Sequence, residues 1–152
     1  MTLSLHLRIA GALLLLLATS HVLFQRQFRW GEELARLSIL NRQIFLVHNF
    51  FIVLVVALMG AVSLLAPDAL LERTRLGAWV LGGLALFWAT RLALQFFVYD
   101  ASLWRGDRLR TTVHVVFAAL WSYLTVVYGC GLWGQLAAWR EQLEACIPCT
   151  GW

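Results

Sequence analysis

Four long apolar stretches limit what this chain can fold into. They lie at about residues 5–24, 44–65, 76–99 and 111–136, and each reaches the ~20 residues that an α-helix needs to cross a bilayer. Of all residues, 61% are hydrophobic and 13% are charged, whereas soluble domains carry about 25% charged residues. The sequence therefore predicts an all-α integral membrane protein and excludes a soluble globular domain.

The connections between these stretches are short, which favours an up-down bundle of four transmembrane helices in a single membrane domain, residues 1–152. The longest connection is not a plain loop. In residues 30–43, apolar side chains recur at helical spacing, beginning with Trp30 and Leu34. This pattern predicts an amphipathic helix that lies in the membrane interface before the second span. Residues 137–152 are interpreted as a C-terminal tail.

The arginines are distributed unequally between the two ends of the predicted bundle. One end carries seven, namely Arg26, Arg29, Arg36, Arg42, Arg105, Arg108 and Arg110. The other end carries four, namely Arg8, Arg73, Arg75 and Arg140. Because basic residues accumulate on the cytoplasmic side, both termini are predicted to lie on the non-cytoplasmic side, in a bacterial inner membrane.

The formal net charge of +4 indicates topology and contact with anionic lipid. The chain lacks the interleaved basic and aromatic residues that bind single-stranded nucleic acid. We therefore expect no nucleic-acid partner. The expected partners are the lipid bilayer and either other membrane subunits or further copies of the chain.

Three histidines lie at similar depth from the arginine-rich end. His21, His48 and His114 are each about 6–9 Å inside their spans, counted at 1.5 Å per residue. Imidazole is a common ligand of transition metals and of haem b, so the three are candidate metal ligands. The alternative is that each hydrogen-bonds to a neighbouring helix without any cofactor.

A quinone site is another candidate at the same depth. It needs hydrogen-bond donors at the quinone carbonyls and flat apolar walls. Gln95, His48 and His114 are the candidate donors. The candidate walls are Trp88, Phe96, Phe97 and Trp121. Aromatic residues at helical spacing are equally typical of plain packing or of an interfacial belt.

Arg91 lies in the middle of the third span and cannot lose its charge. It is nine residues from Asp100 and so about 13 Å deep, and exposure to lipid there is costly. We therefore expect it to face inward and to share a face with Gln95, one turn on. Its expected partners are backbone carbonyls, water, a bound anionic group, or hydroxyls. The candidate hydroxyls are those of Ser63, Ser122 and Thr125.

Cys146 and Cys149 form a C-x-x-C near the end of the chain. On an outward, oxidising side they are predicted to form a disulfide. Cys130, at the end of the fourth span, is predicted to be a buried free thiol.

The sequence leaves two classes of function open. The first is an accessory or structural subunit of a membrane complex. The second is a redox protein that binds a metal, haem or quinone through His21, His48 and His114. The chain has neither the HExxH motif of zinc proteases nor the Glu-x-x-His pair of di-iron bundles, and no catalytic residue set is predicted.

Overall fold

The computed structural model describes residues 2–27, 30–98 and 108–146, which form helices and no strand. In chain order the helices are α1 (Thr2–Gln27), α2 (Trp30–Ala35), α3 (Ile39–Leu65), α4 (Pro67–Leu71), α5 (Arg75–Phe97) and α6 (Arg108–Cys146). Among these, α1, α3, α5 and α6 contain stretches that are long and apolar enough to cross a membrane. Four such helices are consistent with a small integral membrane protein, and the all-α prediction is confirmed for the described residues.

The chain divides into two compact units, one made largely of Ser4–Pro67 and the other of Asp68–Trp152. In the first unit, α1 and α3 run antiparallel. Arg8 Nη1 donates to the carbonyl oxygen of Leu64 at 3.5 Å, and Gly11 lies against Gly60. A Cβ atom on Gly11 would lie 2.7 Å from the Gly60 carbonyl oxygen, so the two backbones approach more closely than larger residues allow.

The segment before the second span is broken. Helix α2 ends at Ala35, and α3 begins only at Ile39. The Ser38 hydroxyl accepts a hydrogen bond from the Asn41 amide at 3.4 Å, which is the geometry of a helix N-cap. The helix predicted over residues 30–43 is therefore interrupted at residues 36–38, and its location in the membrane interface stays a prediction. A serine that caps a new helix interrupts the apolar periodicity on which that prediction rested.

A tight turn leads into α5. Pro67 begins α4 and Asp68 lies in its first turn, where the missing amide of proline and the negative charge are both tolerated. The Thr74 hydroxyl then caps α5 by accepting from the Gly77 amide at 3.0 Å. These caps satisfy amides that have no partner within the helix.

Helix α6 is longer than predicted. The fourth span was expected to end near residue 136 and residues 137–152 to be a tail, but the helix continues to Cys146. Residues 108–147 contain no proline, and Arg140 pairs with Glu144 at 3.4 Å, one turn apart. From Arg110 to Arg140 the helix rises about 45 Å, which matches a bilayer including its headgroups.

Candidate functional site

Helices α5 and α6 run antiparallel along most of their length, and this pairing sets the register of the polar residues between them. Near one end, Leu81 lies against Gly131, whose Cβ position is 3.1 Å from a Leu81 methyl carbon. Near the other end, Gln95 hydrogen-bonds to His114. Residues towards the C-terminal end of α5 therefore lie opposite residues towards the N-terminal end of α6. Between the two ends, Arg91 lies beside Trp121.

Three of the predicted site residues form a hydrogen-bonded chain. Arg91 Nη1 donates to Gln95 Oε1 at 3.3 Å, and Gln95 Nε2 lies 2.8 Å from His114 Nδ1. An amide nitrogen can only donate, so Nδ1 of His114 is the acceptor. A neutral His114 ring then carries its proton on Nε2, an assignment that follows from the hydrogen-bond pattern.

Aromatic rings surround the arginine end of this chain. The guanidinium carbon of Arg91 lies 5.2 Å from the centroid of the Trp121 ring, within the range of a cation–π interaction. Trp121 is stacked on Trp88 at 5.0 Å, with 16° between the planes, and on Phe117 at 5.4 Å. Neither α5 nor the part of α6 before Arg140 contains Asp or Glu, so no carboxylate of these two segments pairs with the charge.

Two buried indoles have an unused donor. Trp88 and Trp121 are 1% and 4% exposed, and the Nε1 atom of each has no hydrogen-bond partner among the described residues. Unpaired buried donors are uncommon and call for an explanation, such as an ordered water or a ligand acceptor. These two N–H groups are buried hydrogen-bond donors of the site for which the described chain supplies no acceptor.

The other two histidines are placed differently. His21 is bonded through Nδ1 to the carbonyl oxygen of Leu17 on its own helix, at 2.8 Å. His48 is exposed, so the expectation that its ring points into the interior is not met. Within the described ranges, no group of three His, Cys, Asp or Glu side chains is arranged to hold a metal ion. The three-histidine metal site has no support here and stays a prediction.

The predicted quinone walls are partly assembled. Trp88 and Trp121 stack, and Phe96 meets the His114 ring edge-on, with centroids 6.1 Å apart. Phe97 is 88% exposed and does not take part. The site therefore keeps Phe96 against His114 and the Trp88–Trp121 stack about two turns, ~10 Å, further along the two helices.

The hydroxyls proposed as partners of Arg91 bond to their own helices. Ser63 donates to Met59, Ser122 to Ala118 and Thr125 to Trp121, each to the carbonyl oxygen four residues earlier. This local bond is always within reach in a helix, whereas reaching Arg91 depends on how the helices are rotated.

The cysteine predictions have different outcomes. Cys130 is exposed, so the prediction of a buried thiol is wrong, because this position of α6 faces away from α5. Cys149 and the side chain of Cys146 lie outside the described residues, and their predicted disulfide stays a prediction.

Gln135 is a buried polar residue that the sequence analysis missed. Its amide nitrogen donates to the carbonyl oxygens of Leu70 and Glu72, at 3.2 and 2.7 Å. It thereby ties α6 to the end of α4 and to the turn that follows it. A signal was present, because Gln135 is the only amide side chain in α6 before Arg140.

Comparison of the chain with protein-family models, with curated proteins and with solved structures finds no match.

Proposed function

We propose that this chain is a small multi-pass membrane protein that serves as an accessory or structural subunit of a membrane complex. The observation that supports this function is the chain of hydrogen bonds through Arg91, Gln95 and His114. These polar groups bond to one another across α5 and α6. Such a network holds two helices in one register, which is what a structural subunit requires.

The same proposal includes an orientation. The arginine-rich end is the cytoplasmic side of a bacterial inner membrane, and both termini lie on the opposite side. Arg110 and Arg140 then lie at the two headgroup levels. The short helix α2 lies at the cytoplasmic interface, next to the arginine-rich connection.

The test is the size and composition of the complex in native membranes. The chain, tagged and expressed at low level, is extracted in a mild detergent and separated on a native gel. We expect it to migrate in an assembly with at least one other membrane protein in constant ratio. As a control, an unrelated tagged four-span protein should not co-migrate. If the chain migrates alone or only with copies of itself, the accessory function is wrong.

A second candidate is favoured by the indole donors. The N–H groups of Trp88 and Trp121 have no acceptor in the described chain. The two rings are stacked on each other and lie about two turns, ~10 Å, along α5 and α6 from the Gln95–His114 pair. Quinone carbonyl oxygens accept such hydrogen bonds, and flat rings stack on a quinone head. This is the redox alternative, restricted to the residues that the structure brings together.

An absorption spectrum and a solvent extract of the purified protein distinguish the two functions. A quinone present in constant ratio, and lost in Trp121→Phe, supports the second candidate. A Soret band indicates haem. A colourless protein whose extract contains only phospholipid supports the structural function.

A further inference from the structure

Helix α3 presents two polar side chains outward within its spanning segment. His48 is exposed and Asn49 is half-buried, and neither side chain has a hydrogen-bond partner among the described residues. Counted from Arg42, they lie about 9 and 10.5 Å along the helix. At that depth a short amide cannot reach the headgroups, and no water is available to satisfy it.

The surface around this pair is apolar and exposed. Over Ile39–Val55 no side chain is buried, and exposed phenylalanines lie on both sides of the pair, at Phe45 and Phe50. The other half of α3 differs, because Val56, Gly60 and Ser63 are buried there. We define the first half, Ile39–Val55, as the outer half of α3.

We propose that the outer half of α3 is a contact surface for a second copy of this chain, joined through His48 and Asn49. The proposal goes beyond the accessory function, since it concerns the chain by itself.

Symmetry favours a second copy of the chain as the partner that covers the outer half of α3. Two copies inserted in the same orientation are related by a two-fold axis along the membrane normal. Each residue of one copy therefore lies at the same membrane depth as the identical residue of the other copy. An amide and a neutral imidazole each carry a donor and an acceptor. The Asn49 amides of the two copies can therefore bond to each other, or each can bond to His48 of the other copy.

Charge also favours this contact. Residues 43–67 contain no Asp, Glu, Lys or Arg, so pairing two copies of α3 places no like charges opposite each other inside the hydrocarbon. The nearest charge, Arg42, lies at the headgroup level, where water and anionic lipid screen it. A single membrane-embedded amide of this kind is known to direct helix pairing by hydrogen bonding.

Energy transfer in vesicles tests the contact. Protein labelled at its amino terminus with donor or acceptor dye is reconstituted in phosphatidylcholine vesicles and diluted with lipid. We expect a dimer in which Asn49→Leu raises the dissociation constant about 5- to 30-fold, the range for interhelical hydrogen bonds in model peptides. His48→Leu should weaken the dimer in the same direction.

Ser122→Ala is the matched control, because Ser122 is also exposed in a span but its hydroxyl bonds within its own helix. Its dissociation constant should equal that of the unmodified chain. A monomer at every dilution, or an Asn49→Leu protein that behaves like Ser122→Ala, overturns the proposal. A chain that is monomeric alone but binds another protein also overturns it, while leaving the accessory function intact.

Cross-linking in native membranes gives an independent measurement. In a chain without its three cysteines, Ile52→Cys lies one turn from the polar pair, and Val62→Cys lies in the other half of α3. The two positions are matched in exposure, at 40% and 43%. Oxidation should link two copies through position 52 and not through position 62. Equal linking at both positions, or none at either, contradicts the proposed surface.

Discussion

Arg91 carries a permanent charge in the middle of a spanning helix, and its surroundings contain no carboxylate from α5 or from α6 before Arg140. The guanidinium instead donates to Gln95 and lies over Trp121. Gln95 is the central residue, because it accepts from Arg91 and donates to His114 with the two ends of one amide. Its removal affects both neighbours.

We predict that Gln95 and His114 are energetically coupled. In a double-mutant cycle with Gln95→Leu and His114→Phe, the coupling free energy should be about 0.6–1.7 kcal/mol, between the average and the maximum found for hydrogen bonds between membrane helices. Reversible unfolding in mixed detergent micelles measures it. Pairing Gln95→Leu with Ser122→Ala is the control and should be additive. Additivity in the first cycle would show that the bond contributes nothing.

At the scale of the helices, glycine positions differ sharply in the space around them. A Cβ on Gly11 would lie 2.5 Å from the Leu64 amide nitrogen, so α1 and α3 would have to separate. A Cβ on Gly83 would meet nothing within 4 Å. The contact between α1 and α3 thus depends on a residue without a side chain.

Gly11→Ala should lower the free energy of unfolding by about 1–3 kcal/mol, the usual cost of overpacking. Gly83→Ala should leave it unchanged or raise it by up to about 1 kcal/mol, because alanine is the better helix former. Thermal unfolding in detergent compares the two. Equal effects would mean that the helices do not approach at Gly11.

The start of α5 gives another local prediction. Thr74→Ala removes the hydroxyl that accepts from the Gly77 amide and should cost about 1 kcal/mol. Hydrogen exchange should increase at the Gly77 and Ala78 amides specifically. Thr112→Ala is the control, since the Thr112 hydroxyl donates to a carbonyl oxygen of its own helix and caps nothing. Unchanged exchange in Thr74→Ala would argue against the cap.

For the whole molecule, the distribution of arginines predicts the orientation. A reporter that is active only in the cytoplasm should be inactive when fused after Trp152 and active when inserted near Arg36. The physical reason is that basic segments are retained on the cytoplasmic side during insertion. An active cytoplasmic reporter after Trp152 would reverse the orientation and leave the helix contacts unaffected.

The amino-acid sequence by itself determined the membrane class, the four apolar helices and the helix face that Arg91 shares with Gln95, but it did not identify Gln95 as the partner of Arg91. Hydrophobic length and the one-turn spacing of residues are properties of the chain alone. The sequence also contains Ser38, a residue type that often caps a helix. At this position, however, the apolar periodicity predicted one continuous helix, and that periodicity was misleading. The end of α6 was missed because polar residues continue a helix as readily as apolar ones do.

Only the tertiary structure decided which polar side chains meet. Counting residues gives the depth of a histidine along its helix, but the direction of its ring depends on how that helix is rotated against its neighbours. The packing of α5 on α6, through Leu81 with Gly131 and Trp88 with Trp121, turns His114 onto Gln95. His48, similarly deep, is exposed instead, because rotation is set by close packing between helices and leaves no periodic signal in a span that is apolar on every side.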